Sequence, residues 1–239
     1  MKEIITSKQN EKIKEIVKLS KQSEKEASQQ FIVEGYHLLE MALEAKVVLK
    51  VLTLKEIKDL PNSIPQYIVT PEIMDKISSL KSPQGVLAVC SMKKEQSLSN
   101  DRILYLDDIS DPGNMGTLLR TALAFGYKDI IVSHNSTSIY NEKVVQSSQG
   151  AIFKLNIIKG DASTLKNLKD YEILSTEIKG SLSLKEVKHQ KKIVLVLGNE
   201  SRGVSKEILN ISHQRIRIDI KDIESLNVAI AGAIAMYSL

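Results

Sequence analysis

Five short apolar runs recur along the second half of this 239-residue chain, and they constrain its fold more than any other feature. They span residues 103–106, 128–132, 153–157, 171–175 and 193–197. Each run has the length of a strand, and the segments between the runs are long enough for helices. Strands that are apolar along both faces are typical of parallel sheets covered by helices. The pattern therefore predicts an α/β domain in this half of the chain.

The first half of the chain predicts a smaller α/β domain. Strand-like runs lie at 31–33, 47–54, 66–69 and 85–90, and helical patterns lie at 7–20, 36–45 and 71–79. Residues 93–101 are polar and without periodicity, so we place a linker there. We expect one domain over residues 1–95 and a second over residues 101–239.

Composition excludes several classes of protein. No stretch approaches the roughly 18 consecutive apolar residues of a membrane span, and the first residues lack the layout of a signal peptide. We therefore expect a cytoplasmic protein that contacts no membrane. Cys90 is the only cysteine, which excludes an internal disulfide and a zinc site built on cysteine pairs, so no metal is expected. The net charge of +4 permits a nucleic-acid partner without proving one.

The loops that follow the apolar runs form the candidate ligand site, because ligands of open α/β sheets bind at the carboxyl ends of strands. The first loop, 107–116, contains a turn around DPGN and leads into an apolar helix that is expected to begin at Asn114 or Gly116. Arg120 is expected about one turn into this helix. Its guanidinium would then lie near a helix start, which favours anions.

The second loop, residues 198–203, reads GNESRG. A glycine after a buried strand lets a ligand approach the backbone closely, and a carboxylate and an arginine stand beside it. The loop matches neither the Walker pattern nor the dinucleotide-binding pattern, which weighs against a nucleotide-phosphate site. In the third segment, 217–229, Ser225 is expected to cap the last helix. Asn227 would fall in the first turn of that helix, where capping does not explain an asparagine.

Taken in this order, the three segments resemble the signature of the SpoU (TrmH) family of RNA ribose 2′-O-methyltransferases, part of the SPOUT class. The first motif reads DPGNMGTLLRTALAFG at 111–126, the second reads VLGNESRG at 196–203, and the third combines Ile218 with SLNVA at 225–229. The N-terminal half resembles the RNA substrate-binding domain of rRNA-directed members, which is related to small RNA-binding ribosomal proteins. This second resemblance rests on FIVEG at 31–35 and SPQGVLAV at 82–89.

The resemblance implies a trefoil-knotted parallel sheet in the C-terminal domain, S-adenosylmethionine as the cofactor, RNA as the partner and a homodimer through the knotted domain. It implies cofactor contacts from Leu197, Gly198, Asn199, Glu200, Ile218, Ser225, Leu226 and Asn227. It implies catalytic roles for Arg120, Asn114, Ser225 and Asn227.

Within this set, Arg120 would stabilise the developing ribose oxyanion or hold a neighbouring phosphate, because a guanidinium is a poor base. By the same resemblance it would act near the cofactor of the partner subunit. Asn114 would orient the RNA.

Three positions depart from the family pattern. Asp219 stands where the family usually has proline, Ser201 replaces a common glycine, and Gln146 occupies a position often held by arginine. The first two flank the cofactor loops and could reduce cofactor affinity, while the third could change RNA contacts. The leading hypothesis is a 2′-O-methyltransferase of large-subunit rRNA. The alternatives are a tRNA methyltransferase with the same chemistry and an RNA-binding protein whose catalytic half has decayed.

Overall fold

The computed structural model describes residues 2–188 and 191–239 of the chain. These residues form two compact units. The first contains the residues up to Lys94 together with Tyr140–Gln146, and the second contains Glu95–Ile139 and Ser147–Leu239. None of the helices in the described ranges combines the length and the apolar character that a bilayer span requires.

The first unit is built on a five-stranded mixed sheet with the strand order β1-β4-β3-β5-β2. Its strands are β1 (Lys2–Ile5), β2 (Gln30–Glu34), β3 (Val48–Thr53), β4 (Gln66–Val69) and β5 (Val86–Ser91), and its helices include α1 (Glu11–Lys18), α2 (Gln22–Ser28), α3 (Tyr36–Glu44) and α4 (Pro71–Ile77). Strands β1, β4 and β3 run parallel, whereas β5 is antiparallel to both β3 and β2. The amphipathic helix α1 buries Ile13 and Ile16 in the core of this unit.

Two features of the first unit differ from the sequence prediction. Helix α1 begins at Glu11 rather than near residue 7, because the Asn10 side chain accepts a hydrogen bond from the Lys12 amide and caps the helix there. Strand β1 and helix α2 had no predicted counterpart. Both are short and largely exposed, so they carry little apolar pattern.

The segment Tyr140–Gln146 belongs to the first unit although it follows Glu95–Ile139 of the second unit in sequence. Lys25, which is only 2% exposed, forms an ion pair with Glu142 at 2.7 Å. Gln146 Nε2 donates a hydrogen bond to the backbone carbonyl of Glu34 at 2.9 Å. Gln146 therefore serves a contact within this unit, which no local sequence pattern predicts.

The second unit is built on a seven-stranded sheet with the strand order β10-β12-β9-β11-β6-β7-β8. Its strands are β6 (Arg102–Leu106), β7 (Asp129–Val132), β8 (Asn156–Lys159), β9 (Glu172–Thr176), β10 (Leu182–Ser183), β11 (Ile193–Leu197) and β12 (Gln214–Arg217). The helices that follow α4 in chain order are α5 (Pro112–Ala124), α6 (Glu142–Ser148), α7 (Ala162–Lys166), α8 (Lys206–Ile211) and α9 (Val228–Ser238). All the strand pairings described in this sheet are parallel. The predicted α/β fold, with a parallel sheet and a smaller N-terminal sheet, is confirmed.

One apolar run of the second unit is not a single strand. Residues 151–153 form a turn of 3₁₀ helix, and β8 begins only at Asn156. The run at 153–157 is apolar because Phe153 and Leu155 are buried outside the sheet. Apolar character therefore reports burial at this position, and the strand prediction is wrong by three residues at its start.

Helix α9 packs closely on α5 and on β11 through small residues. A Cβ atom at Gly232 would lie 2.5 Å from a Leu118 methyl carbon and 2.6 Å from a Leu197 methyl carbon. Contacts this short are not sterically allowed, so glycine permits the approach. The last helix is therefore closely packed within the second unit.

Candidate active site

The loops that follow β6, β9, β11 and β12 lie together at the carboxyl ends of these strands, because the strands are neighbours, run parallel and end on the same side of the sheet. All three family-like motifs contribute to this carboxyl end of the sheet, which we define as the candidate site.

Two aspartates tie the loop after β6 to the loop after β11. The buried carboxylate of Asp107 accepts a hydrogen bond from the Ser205 amide at 2.7 Å. Asp108 pairs with the guanidinium of Arg202, and its carbonyl accepts a hydrogen bond from Asn199 Nδ2 at 2.8 Å. The charge of Arg202 is therefore used in holding the two loops together.

Glu200 is the main connection between the first two motifs. Its carboxylate accepts hydrogen bonds from Ser110 Oγ at 3.0 Å, from the Asp111 amide at 3.2 Å and from Asn114 Nδ2 at 3.0 Å. Partial burial raises the pKa of Glu200, but the hydrogen bonds that it accepts, led by that from Asn114, outweigh burial and leave the pKa below its usual value. The side chain therefore acts as a fixed anionic acceptor.

A second hydrogen bond extends this connection to the third motif. Asn114 Oδ1 accepts from Asn227 Nδ2 at 3.0 Å. Asn227 Oδ1 in turn accepts from the amides of Ala229 and Ile230 and caps helix α9. Glu200, Asn114 and Asn227 thus form one continuous chain of side-chain hydrogen bonds across the three motifs.

The prediction that Ser225 caps the last helix is wrong. Helix α9 begins at Val228 with Asn227 in the cap position, and Ser225 is exposed two residues before it. The capping role accounts for the asparagine that a position inside the first turn would not explain.

The segment 218–226 joins β12 to α9 without regular structure. Ile218 and Leu226 are half-buried at its two ends. In the described ranges of the chain, its amide and carbonyl groups form no hydrogen bonds with other backbone groups. These groups remain available to a ligand.

The loop after β11 closes on itself behind Gly198. Asn199 and Gly203 exchange two backbone hydrogen bonds of 3.0 and 2.9 Å. A Cβ at Gly198 would lie 2.2 Å from the backbone of Gly203 and of Val204, so position 198 requires glycine. Ser201 does not require a glycine backbone, because it is absent from the described residues with a positive φ.

Arg120 lies farther from the helix start than the sequence predicts. Helix α5 begins at Pro112, because Asp111 caps it by accepting from the Asn114 amide at 2.8 Å. Arg120 lies eight positions after Pro112, which corresponds to about 12 Å along the axis. The expected effect of the helix start on Arg120 is therefore wrong, since that effect is confined to the first turn. The side chain is exposed and makes no ion pair or hydrogen bond with the part of the chain that the structure describes.

Sequence reasoning missed the partners of the predicted site residues. Ser110 and Asp111 hold Glu200, and Asp108 holds Arg202. The available signal was the run DDISD, since several polar residues directly after a buried strand indicate a connected loop. Among the described residues, no group of three or more His, Cys, Asp or Glu side chains is placed to hold a metal ion.

Comparison with known proteins relates these motifs to one family. The profile of the SpoU rRNA Methylase family matches residues 101–237, which contain all three motifs, and that of the MRM3-like substrate binding domain matches residues 10–88. The chain belongs to the SpoU rRNA methylase family. Its relatives include the 23S rRNA (guanosine(2553)-2′-O)-methyltransferase RlmP of Bacillus subtilis, which is 30% identical over 100% of this chain and 99% of its own.

Two solved structures show the same architecture. An RNA methyltransferase of the TrmH family from Porphyromonas gingivalis is 29% identical, covers 95% of both chains and superposes with a TM-score of 0.84. An AdoMet-bound rRNA methyltransferase from Sinorhizobium meliloti is 22% identical, covers 99% of this chain and 97% of its own, and has a TM-score of 0.88. The resemblance to the SpoU family is confirmed, and by its family this chain is an RNA methyltransferase.

Proposed function

We propose that this SpoU-family chain transfers a methyl group from S-adenosylmethionine to a ribose 2′-hydroxyl of large-subunit rRNA. The observation that carries the proposal is the series of hydrogen bonds Glu200–Asn114–Asn227, which joins the three motifs at the carboxyl end of the sheet. The names of RlmP and of the Sinorhizobium meliloti enzyme support rRNA as the substrate. We place the enzyme in the cytoplasm together with this substrate.

The residues present fit the proposed cofactor. Gly198 leaves the loop after β11 without a side chain at its start, and the segment 218–226 offers backbone donors and acceptors that the described chain does not use. Free main-chain groups beside half-buried Ile218 and Leu226 suit the adenine and ribose of a nucleoside. We assign the cofactor to the backbone around Leu197 and Gly198 and to Ile218 and Leu226.

The remaining predicted contacts differ in how directly they can act. Asn199 Oδ1 accepts from two amides of its own loop, so its side chain shapes the loop. Glu200 holds Asn114, and exposed Ser225 can reach a ligand through its hydroxyl. When bound, S-adenosylmethionine supplies a sulfonium-linked methyl group.

Arg120 is the residue proposed to act on the RNA. The ribose hydroxyl gains negative charge as it loses its proton, and a guanidinium that has no partner among the described residues can donate hydrogen bonds to that oxygen or to the adjoining phosphate. It does not accept the proton, because a guanidinium stays protonated at any pH at which enzymes work. Asn114 and Asn227, held by Glu200, orient the groups around it.

The direct test is methylation of purified RNA. The protein is incubated with isotopically labelled S-adenosylmethionine and deproteinised 23S rRNA or tRNA, and nuclease digests are analysed by mass spectrometry. We expect 2′-O-methylnucleoside in the rRNA, with the position that corresponds to the RlmP target examined first. Label found only in tRNA would identify tRNA, and not rRNA, as the substrate. Absence of label with both RNAs and of cofactor binding by calorimetry would favour a decayed RNA-binding protein.

Arg120→Ala tests the catalytic assignment. Removing one donor to a developing oxyanion costs about 10²–10³ in kcat, so we expect a loss of that size with the dissociation constant of the cofactor changed by less than about twofold. Arg102→Ala, at the opposite end of β6, is the matched control and should keep full activity. Normal turnover by Arg120→Ala would remove this residue from the mechanism.

We further propose that the chain forms the homodimer implied by its family, with the knotted domain at the interface. Helix α9 exposes a stripe of apolar side chains at helical spacing, made of Ile230, Ile234 and Tyr237. Light scattering should give twice the chain mass for the wild type and one chain mass for Ile230→Asp. Ile4→Asp, at a still more exposed isoleucine of the first unit, should stay dimeric. A wild-type monomer would exclude this arrangement.

A further inference from the structure

We infer that Asp219 is a positioning residue that fastens the segment 218–226 to the edge of the seven-stranded sheet and so holds Ile218 for the cofactor. The inference rests on the proposed function for the identity of the ligand. It concerns the position at which this chain departs from the proline usual in its family.

The carboxylate of Asp219 is held on both of its oxygens. Oδ2 accepts a hydrogen bond from Ser183 Oγ at 2.5 Å, and Oδ1 lies 3.2 Å from Arg217 Nε. The Ser183 hydrogen bond and the Arg217 charge also lower the pKa of Asp219, so the group is ionised under ordinary conditions. Ser183 belongs to the edge strand β10, while Asp219 lies two residues beyond β12.

Arg217 extends the fastening to the loop between β9 and β10. Its Nη1 donates to the carbonyls of Gly180 at 2.9 Å and of Ser181 at 3.1 Å. Gly180 runs so close to β12 that a Cβ there would lie 2.8 Å from the carbonyl carbon of Ile216. Arg217 and Asp219 therefore bridge the edge of the sheet to the first residues of segment 218–226.

The segment needs such a fastening because little else restrains it. Its backbone forms no hydrogen bonds with other backbone groups of the described chain, and its far end is fixed only where Asn227 caps α9. A proline at position 219 would restrain this backbone by fixing φ and reducing the freedom of the chain. The aspartate achieves the same end through two side-chain contacts. The departure that suggested a weakened cofactor site is thus a different way of ordering it.

The experiment compares cofactor affinity and backbone ordering in matched variants. Dissociation constants for S-adenosylmethionine are measured by calorimetry on the wild type, on Asp219→Ala, on Asp219→Asn and on Glu224→Ala. Glu224 is an exposed carboxylate in the same segment and serves as the control. Hydrogen exchange of residues 218–226 is measured on the same proteins without cofactor.

We expect Asp219→Ala to weaken cofactor binding about tenfold and to accelerate exchange in segment 218–226, with kcat at saturating cofactor within about twofold of the wild type. Asp219→Asn keeps an oxygen that can accept from Ser183, so its affinity should lie between the two. Glu224→Ala should match the wild type. Unchanged affinity and exchange in Asp219→Ala would overturn the inference, as would an equal loss in Glu224→Ala.

The same measurements separate this inference from the proposed function. A wild type that binds no S-adenosylmethionine contradicts the proposed function. Faster exchange in Asp219→Ala would then still support the fastening, whereas unchanged exchange would contradict the fastening as well. The double variant Ser183→Ala with Asp219→Ala should lose less cofactor affinity than the sum of the two single losses, because both substitutions remove the same hydrogen bond. Additive losses would show that Ser183 and Asp219 act independently.

Discussion

Replacing Glu200 by alanine should damage the site more than the loss of an exposed carboxylate ordinarily does. The side chain accepts hydrogen bonds from Ser110, Asp111 and Asn114, two of them from the backbone amides just before α5. Water can reach these donors, so each lost bond costs about 0.5–1 kcal/mol rather than the full value for a bond to a charged group. Together the losses amount to at least about 2 kcal/mol.

That free energy predicts two observable effects of Glu200→Ala. The melting temperature should fall by about 4–8 °C, since 1 kcal/mol shifts a domain of this size by about 2–4 °C. Because Asn114 loses the bond that orients it toward Asn227, kcat/KM for RNA should fall by about 30–100-fold. Differential scanning calorimetry and steady-state methylation assays measure these effects.

A wild-type kcat/KM in Glu200→Ala would exclude this role of Glu200. Glu200→Gln retains one oxygen for the backbone amides but presents an NH₂ group where a second acceptor is needed, so its losses should be about half as large. Asp170→Ala removes an exposed carboxylate of a turn in the same unit and should change neither quantity.

Two further predictions concern the scaffold that carries the site. Gly232→Ala should lower the free energy of unfolding by about 1–3 kcal/mol, because the added methyl overlaps Leu118; equal stability in urea titrations would show that α9 can shift. Asp129 is buried and accepts hydrogen bonds from Asn100 and Asn156. Burial raises the pKa of Asp129, but the hydrogen bonds outweigh burial and leave the pKa below its usual value. Its contribution should therefore be complete above about pH 4, the pKa of an unfolded aspartate, and be lost as the pH falls below it. Unfolding free energies measured across this range should be less pH-dependent in Asp129→Ala than in the wild type, and equal slopes would contradict the assignment.

The centre of the large sheet could be predicted from the sequence and its edge could not. Strands β6 and β11 are buried on both faces, so each reads as a continuous apolar run. Edge strand β10 has two residues, and β12 buries only Ile216 fully among polar neighbours. A strand that is half exposed and this short carries too few apolar positions to be distinguished from a loop.

The location of the candidate site could be predicted, but its internal contacts could not. The carboxyl ends of parallel strands lie on one side of the sheet, so the three motifs had to meet there. Which side chain meets which depends on where each helix begins. A helix start placed at Asn114 or Gly116 instead of Pro112 brings Arg120 too close to the amino end of α5, and that error of two to four residues reverses the electrostatic argument.

Asn227 shows why a residue at such a site can be required for two reasons at once. Its oxygen accepts from the first amides of α9, a role that serine or aspartate would fill equally well. Its NH₂ group donates to Asn114 Oδ1, a role that neither serine nor aspartate can fill in the same geometry. Because one amide group performs both roles, the start of α9 and the position of Asn114 are set by the same side chain. Glu200 fixes the other end of that connection, so hydrogen bonds among three side chains align the motifs in addition to the packing of α9 on α5.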